Sequence, residues 1–194
     1  MKNKGLWITL GVIVLLVLFG ISRYNGLVTA DESISGQWAQ VEAAYQRRAD
    51  LIPNLVSTVK GYADFEQETL TQVIEARSKA TSIQIDPSNL TPESIANFQK
   101  AQDQLSGALS RLLVSVERYP DLKANQSFMA LQDELTNTEN KINFERNKFN
   151  DRVKEYNATI RRIPNNFVAG FAGLQARGYF ESVEGSETAP KVTF

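Results

Sequence analysis

Apolar positions in the middle of the chain recur every three or four residues. Trp38, Val41, Tyr45, Ala49, Ile52, Val56, Val59 and Ala63 form one such series, and Leu70, Val73 and Arg77 extend it. This is the period of a helix with one buried face. Pro53 lies inside the first series without shifting its phase, so the pattern predicts a kinked helix, with Asp50 available to cap a restarted turn and Gly61 as a second break. The stretch TSIQIDPSNLTPES, 81–94, reads as a loop that ends in Thr91 as N-cap and Pro92 as first helical residue. The next series, Ile95, Phe98, Gln102, Leu105, Leu109, Leu112, Val116 and Tyr119, is an unbroken bundle seam with one polar guest, closed by Pro120. A further long helix carries Phe128, Leu131, Leu135, Thr138, Ile142, Phe149, Val153, Tyr156 and Ile160 on one face and is closed by Pro164. NNFVAGFAGLQ adds a short apolar helix on the bundle end. No segment alternates long enough to build a sheet. The expected fold is therefore all-α, an antiparallel bundle of long helices.

Ahead of the bundle, GLWITLGVIVLLVLFGIS runs from Gly5 to Ser22 without a charge. As a helix it covers about 27 Å, close to the hydrocarbon thickness of a bilayer. Trp7 and Tyr24 stand near its ends, and Lys2, Lys4 and Arg23 flank it, as expected of interfacial anchors. A single membrane-spanning helix is the reading favoured over a cleaved signal peptide. The small-x-small pattern Val28 to Ala30 lies far beyond the apolar run. Lys2, Lys4 and the amino terminus outweigh Arg23, which is followed by Asp31 and Glu32, so the positive-inside rule places the N-terminus in the cytoplasm and the bundle outside.

Composition narrows the chemistry. The chain has 21 basic and 22 acidic residues, net charge −1, which offers no basic face for nucleic acid. It has no cysteine and no histidine, which excludes disulfides, thiolate nucleophiles, Ser-His-Asp triads and histidine or cysteine zinc sites. No catalytic, cofactor or metal residues are assigned. The carboxylate pairs Glu66 and Glu68, or Glu181 and Glu184, lack a basic or metal-binding companion and read as solvated surface. Gly170 and Gly173 lack the strand-turn-helix setting of a phosphate loop. The last long helix is read as acidic at Asp121, Asp133, Glu134 and Glu139 and basic at Lys141, Arg146, Lys148, Arg152, Lys154, Arg161 and Arg162. That gradient complements the helix dipole, and attraction to anionic headgroups is the second cause weighed.

The stretch RRADLIPNLVSTVKGY holds the residues that ask for a role: the polar Arg47, Arg48, Asp50, Asn54 and Lys60, and Pro53 among them. Two arginines beside a proline suit a carboxylate or phosphate ligand. The favoured reading is a polar cross-link in which Asp50 and Asn54 answer the backbone groups freed by Pro53 and tie this helix to the one bearing Arg146 and Asn157. The outer face of the stretch remains a contact surface.

This stretch, with EARSKA after it and YPDLKANQSFMALQDELTNTENKINFERNKFND, YNATIRRIPNNFVAGFAG and YF before Glu181, resembles the LemA family from Tyr24 to Glu181. Phe65 departs from the resemblance, standing where relatives carry a histidine, and RNKFND replaces a tyrosine-bearing version. The resemblance implies a bacterial, membrane-anchored helical bundle, with members tied to magnetosome membranes and no settled catalytic activity to carry over. The expected organisation is an anchor at 1–23, a bundle at 24–181 and a flexible tail at 182–194. The expected role is that of a non-enzymatic interaction or scaffold protein of the cell envelope, held in the cell membrane, with an envelope protein as partner. The alternative is an extracytoplasmic ligand-sensing bundle that signals through a partner.

Overall fold

The computed structural model describes residues 4–62 and 66–181. Phe65 and the tail 182–194 lie outside the described residues. Helix α1 spans Lys4–Lys60 and α2 Gln67–Ser82. Helix α3 spans Pro92–Val116, α4 is the single turn Pro120–Lys123, α5 spans Gln126–Arg161 and α6 is Asn165–Ala172. Every regular element among the described residues is helical, as the apolar period demands.

Contacts between the helices fix their directions. Gln37 on α1 reaches Glu145 on α5, and farther along α1 Arg47 reaches Glu134, so α5 runs antiparallel to α1. Ala80 at the end of α2 meets Gln102 on α3 while Glu66 at its start meets Ser115, and Trp38 meets Phe98 while Arg48 meets Ser106, so α3 runs against α2 and along α1. The four long helices therefore alternate in direction around the shared core.

The core has two storeys. The one toward the N-terminal end of α1 gathers Leu27, Ile34, Trp38, Phe98, Phe149, Tyr156 and Phe180. The other gathers Ile52, Leu55, Val59, Leu70, Val73, Leu105, Leu112 and Phe128. The residues of the α3 seam named above are buried from Ile95 to Val116.

Pro53 sits inside α1 and does not divide it, so the restart that Asp50 was expected to cap does not occur. The carbonyl that the proline ring leaves without its donor is that of Ala49, four residues back, and it accepts a 2.7 Å hydrogen bond from Arg77 Nε on α2. Helix α1 ends at Lys60, just before Gly61. Thr91 does cap α3, its side chain accepting from the Ser94 N–H at 3.1 Å with Pro92 first in the helix. Two boundaries differ from the expected ones. Helix α3 stops at Val116, short of Pro120, and Pro120 instead opens the turn α4.

Helix α6 ends on Gly173 at φ 69, a left-handed conformation that glycine adopts without steric cost, and Leu174 N–H bonds back to Ala169 O at 3.0 Å. Beyond it, residues 174–181 form a strap without regular secondary structure. It crosses the loop before α3, where Gly178 N–H donates to Leu90 O at 2.9 Å, and drives Phe180 into the first core.

Candidate functional site

The two storeys meet at Arg48. Its phase on α1 points it inward beside Tyr45 and Ile52, and its side chain is only 2% exposed. One terminal nitrogen donates to Ser106 Oγ at 2.7 Å and to Glu139 Oε2 at 2.9 Å. The other donates to Gln102 Oε1 at 2.8 Å and to the Gln102 carbonyl at 3.3 Å. The guanidinium also lies 5.1 Å from the centre of the Tyr45 ring. Gln102 then passes the contact on, its amide donating to Ala80 O at 3.3 Å. One side chain thus links α1, α3 and α5 directly and α2 through Gln102. Burial raises the Tyr45 phenol above its ordinary pKa, and the positive charges of Arg146 and Arg48 partly oppose this.

A guanidinium keeps its proton at any physiological pH and so cannot act as acid or base. What it supplies is a planar fork of donors that fits only one arrangement of its neighbours. Its outer end opens on a cleft of about 380 Å³ between α3 and α5, where Glu139 sits half exposed with Gln132, Thr136 and Asn140.

The other candidates from the sequence disperse. Arg47 faces outward and pairs with Glu134, Nε to Oε1 at 2.8 Å, with side-chain exposures of 66% and 35%. Such a pair contributes about 1 kcal/mol at most. Asp50 does not answer the Pro53 backbone; it accepts from Gln46 Nε2 one turn earlier at 2.7 Å. Asn54 lies exposed and its carbonyl accepts from Thr58. Pro53 and Lys60 line a groove with Ile52, Val56, Ile74 and Arg77 between α1 and α2.

Arg146 and Asn157 serve the strap, not the Pro53 region. Arg146 donates to Glu181 O at 3.1 Å and lies 4.8 Å from the centre of the Phe180 ring. Asn157 clamps the backbone of Arg177 both ways, accepting from its N–H and donating to its carbonyl, each at 2.9 Å. Asn150 does the same to Phe180 at 2.9 Å. Gln99 clamps Glu181 at 3.0 and 2.9 Å. Asn150 and Gln99 carry no charge and stand among other polar residues in the sequence, so nothing there marked them as clamps. Arg177 closes the strap with a two-pronged pair to Asp31 on α1 at 2.8 and 2.7 Å, and that contact raises the pKa of the guanidinium. Beside it, burial and the Asp31 charge push the Tyr156 phenol up to about 12.

Glu145, buried against Gln37, is held below the usual carboxylate range by Lys141 and Gln37 despite its desolvation. Among the described residues no group of acidic side chains is arranged to hold a metal ion. The arrangement of Arg48 and of the strap clamps is one that fixes helix register.

A test of the Pro53 arrangement follows from the geometry. Pro53→Ala restores the N–H to Ala49 O and is expected to raise stability by about 1–3 kcal/mol, the interior proline penalty less the entropy it removes from the unfolded chain. Arg77→Met should cost roughly 1 kcal/mol with Pro53 present and less in the Pro53→Ala background, because the carbonyl then has its own donor. Equal costs in both backgrounds, read by urea unfolding, would refute the assignment.

The family model described as the LemA family matches residues 37–194. The chain is 27% identical to the protein LemA of Metamycoplasma hominis over 164 residues, covering 84% of this chain and 71% of that one. It is 24% identical to the magnetosome protein MamQ of Magnetospirillum gryphiswaldense over 187 residues, covering 87% and 68%. A second MamQ, from Paramagnetospirillum magneticum, is 22% identical over the same length. With a family match running from Gln37 through all four bundle helices, the chain belongs to the LemA family.

Proposed function

We propose that the chain is a single-pass protein of the bacterial cell membrane whose bundle stands on the extracytoplasmic side and acts as a non-enzymatic interaction or scaffold element. One observation carries the membrane-held part of this reading, the side resting on the positive-inside rule: the apolar N-terminal segment and the first bundle helix are one helix, uninterrupted from Lys4 to Lys60. Leu27 and Ile34, just beyond the apolar run, are buried in the bundle core, so no slack separates anchor from domain. Cleavage after Ala30 would cut this helix in the middle of its packed face, which supports a retained anchor. A helix without a hinge holds the bundle at a set height and orientation. It carries the groove at Pro53 and Lys60 roughly 45–57 Å beyond Ser22, at about 1.5 Å per residue. Relatives named as magnetosome proteins fit a membrane-bound role.

Orientation and contact are tested together. Protease added to intact cells stripped of their wall should digest the bundle, and protection until lysis would reverse the orientation. A photo-crosslinking residue at Lys60 should give adducts of discrete mass in intact membranes, with none from the same residue at Glu155 on α5. A Lys60 position as silent as Glu155 would leave the groove without an interaction role.

A further inference from the structure

Helix α6 buries little of itself. Ala169 is packed in the same core as Leu27, with Val168 and Leu174 partly covered. On the opposite side Phe167 is 65% exposed and Phe171, one turn on, 100% exposed; Ile163 just before the helix is 78% exposed. Residues four apart share a helix face, so the two phenylalanines form one apolar ridge that faces away from the bundle. Exposed apolar residues elsewhere in the bundle, such as Val114, Met129 and Phe144, are widely separated in the sequence. Arg161 and Arg162 precede the ridge, both exposed, and no acidic residue occurs between Glu155 and Glu181.

The height of this ridge follows from register. Gln37 meets Glu145 and Arg47 meets Glu134, so each step along α5 descends one step along α1. Continued to its end, α5 brings Arg161 and Arg162 level with about Gly20 to Arg23. Those residues mark where the apolar run of α1 ends, with Arg23 and Tyr24 at the expected headgroup level.

We propose that α6 and the end of α5 form a second membrane contact beside the anchor, with Ile163, Phe167 and Phe171 seated at the headgroup-acyl boundary and Arg161 and Arg162 against lipid phosphates. The proposal rests on the reading of residues 5–22 as a membrane span. The occupant is lipid because the end of α5 that leads into the ridge reaches the level at which that span ends, and because an apolar face edged by arginines is the composition of interfacial helices. A second attachment point stops the bundle from rotating about the axis of α1. Its outward faces then keep a constant direction relative to the membrane plane.

The chain has no cysteine, so a single nitroxide label is clean. The full chain, carrying Phe171→Cys, Phe144→Cys or Val14→Cys, is labelled and reconstituted into vesicles of phosphatidylcholine and phosphatidylglycerol. Collisions with oxygen, which concentrates in lipid, are compared with those of a water-soluble nickel chelate. The oxygen-to-nickel ratio at position 171 should exceed that at 144 several-fold and approach that at 14. Adding Arg161→Gln and Arg162→Gln should lower the ratio at 171 about twofold, and an unchanged ratio refutes the part given to the arginines. A ratio at 171 equal to that at 144, with 14 in lipid, overturns the proposal while leaving the anchor intact. Shielding of 171 from both reagents also overturns it, since a protein surface would then cover the ridge. A label at 14 that reads water defeats the anchor itself.

Discussion

Glu139→Ala is expected to destabilise the bundle more than Arg48→Met, although Glu139 is the exposed partner of the pair. The side chain of Arg48 is 2% exposed and that of Glu139 46%. Removing the carboxylate leaves a buried guanidinium without its counter-ion, a loss of about 3–5 kcal/mol where a buried pair is broken from one side. Water entering through the cleft beside Glu139 places the expected cost at the lower end of that range. Replacing Arg48 with methionine removes the charge altogether and leaves an unbranched chain in much of the same space. Glu139 then resolvates. Ser106 keeps its bond to the Gln102 carbonyl at 3.2 Å, and Gln102 keeps Ala80, so the Gln102 side-chain oxygen is the main acceptor left alone. One such group costs about 1–3 kcal/mol. The double variant Arg48→Met, Glu139→Gln should be no less stable than Arg48→Met alone. Urea unfolding of the full chain in mild detergent reads all of these, and an Arg48→Met cost above that of Glu139→Ala would show that the fork is valued for its contacts and not for its charge balance.

The helices were legible because the apolar positions that form them are periodic. Ile95 to Val116 repeat at intervals of three and four, and burying such a stripe is the main way a helix contributes to a core. Gln102 was visible as a polar guest in that seam, but its partner was not. Arg48 and Arg47 are adjacent letters of one type, and a rotation of 100° along α1 sends one into the core and the other to solvent. The contact between Arg77 and Ala49 was illegible for another reason. Pro53 announces that a carbonyl is freed, yet the donor comes from a helix whose register is set by tertiary packing, and Asp50 and Asn54 were merely nearer in sequence. The strap is the extreme case. Its residues follow no period, and it is fixed by amides at Gln99, Asn150 and Asn157 that bind backbone, which is identical in every residue. Only Phe180 and Gly178 carry a trace of its path, one by its apolar bulk and the other by having no side chain.

That missing side chain supplies the second large effect. A Cβ built on Gly178 would stand 2.7 Å from Pro92 Cα, 2.8 Å from Pro92 N and 2.8 Å from Thr91 O. All three are backbone atoms of the capped start of α3, which cannot swing aside as a flexible side chain would. Gly178→Ala therefore forces a choice. Either the first turn of α3 shifts, an overpacking cost of about 1–3 kcal/mol, or the strap lifts. Lifting withdraws Phe180 from Trp38, Phe149 and Phe98, whose ring centres lie 6.0, 5.5 and 6.5 Å away. Losing a buried phenylalanine costs about 1.5–3 kcal/mol, and its aromatic pairs and the amide clamps add to that. Displacement of the α3 turn is the cheaper response, so the expected loss is about 1–3 kcal/mol, with the strap still docked. Hydrogen exchange at the amides of Arg177, Phe180 and Glu181 separates the two responses, because each is bonded to a clamping side chain only while the strap is seated. Retained protection together with faster exchange at Ser94 and Ile95, whose amides bond to Thr91, is the expected pattern. Gly170→Ala is the control, since a Cβ there meets nothing within 4 Å. A Gly178→Ala chain as stable as Gly170→Ala would mean that the strap approaches α3 less closely than this geometry requires.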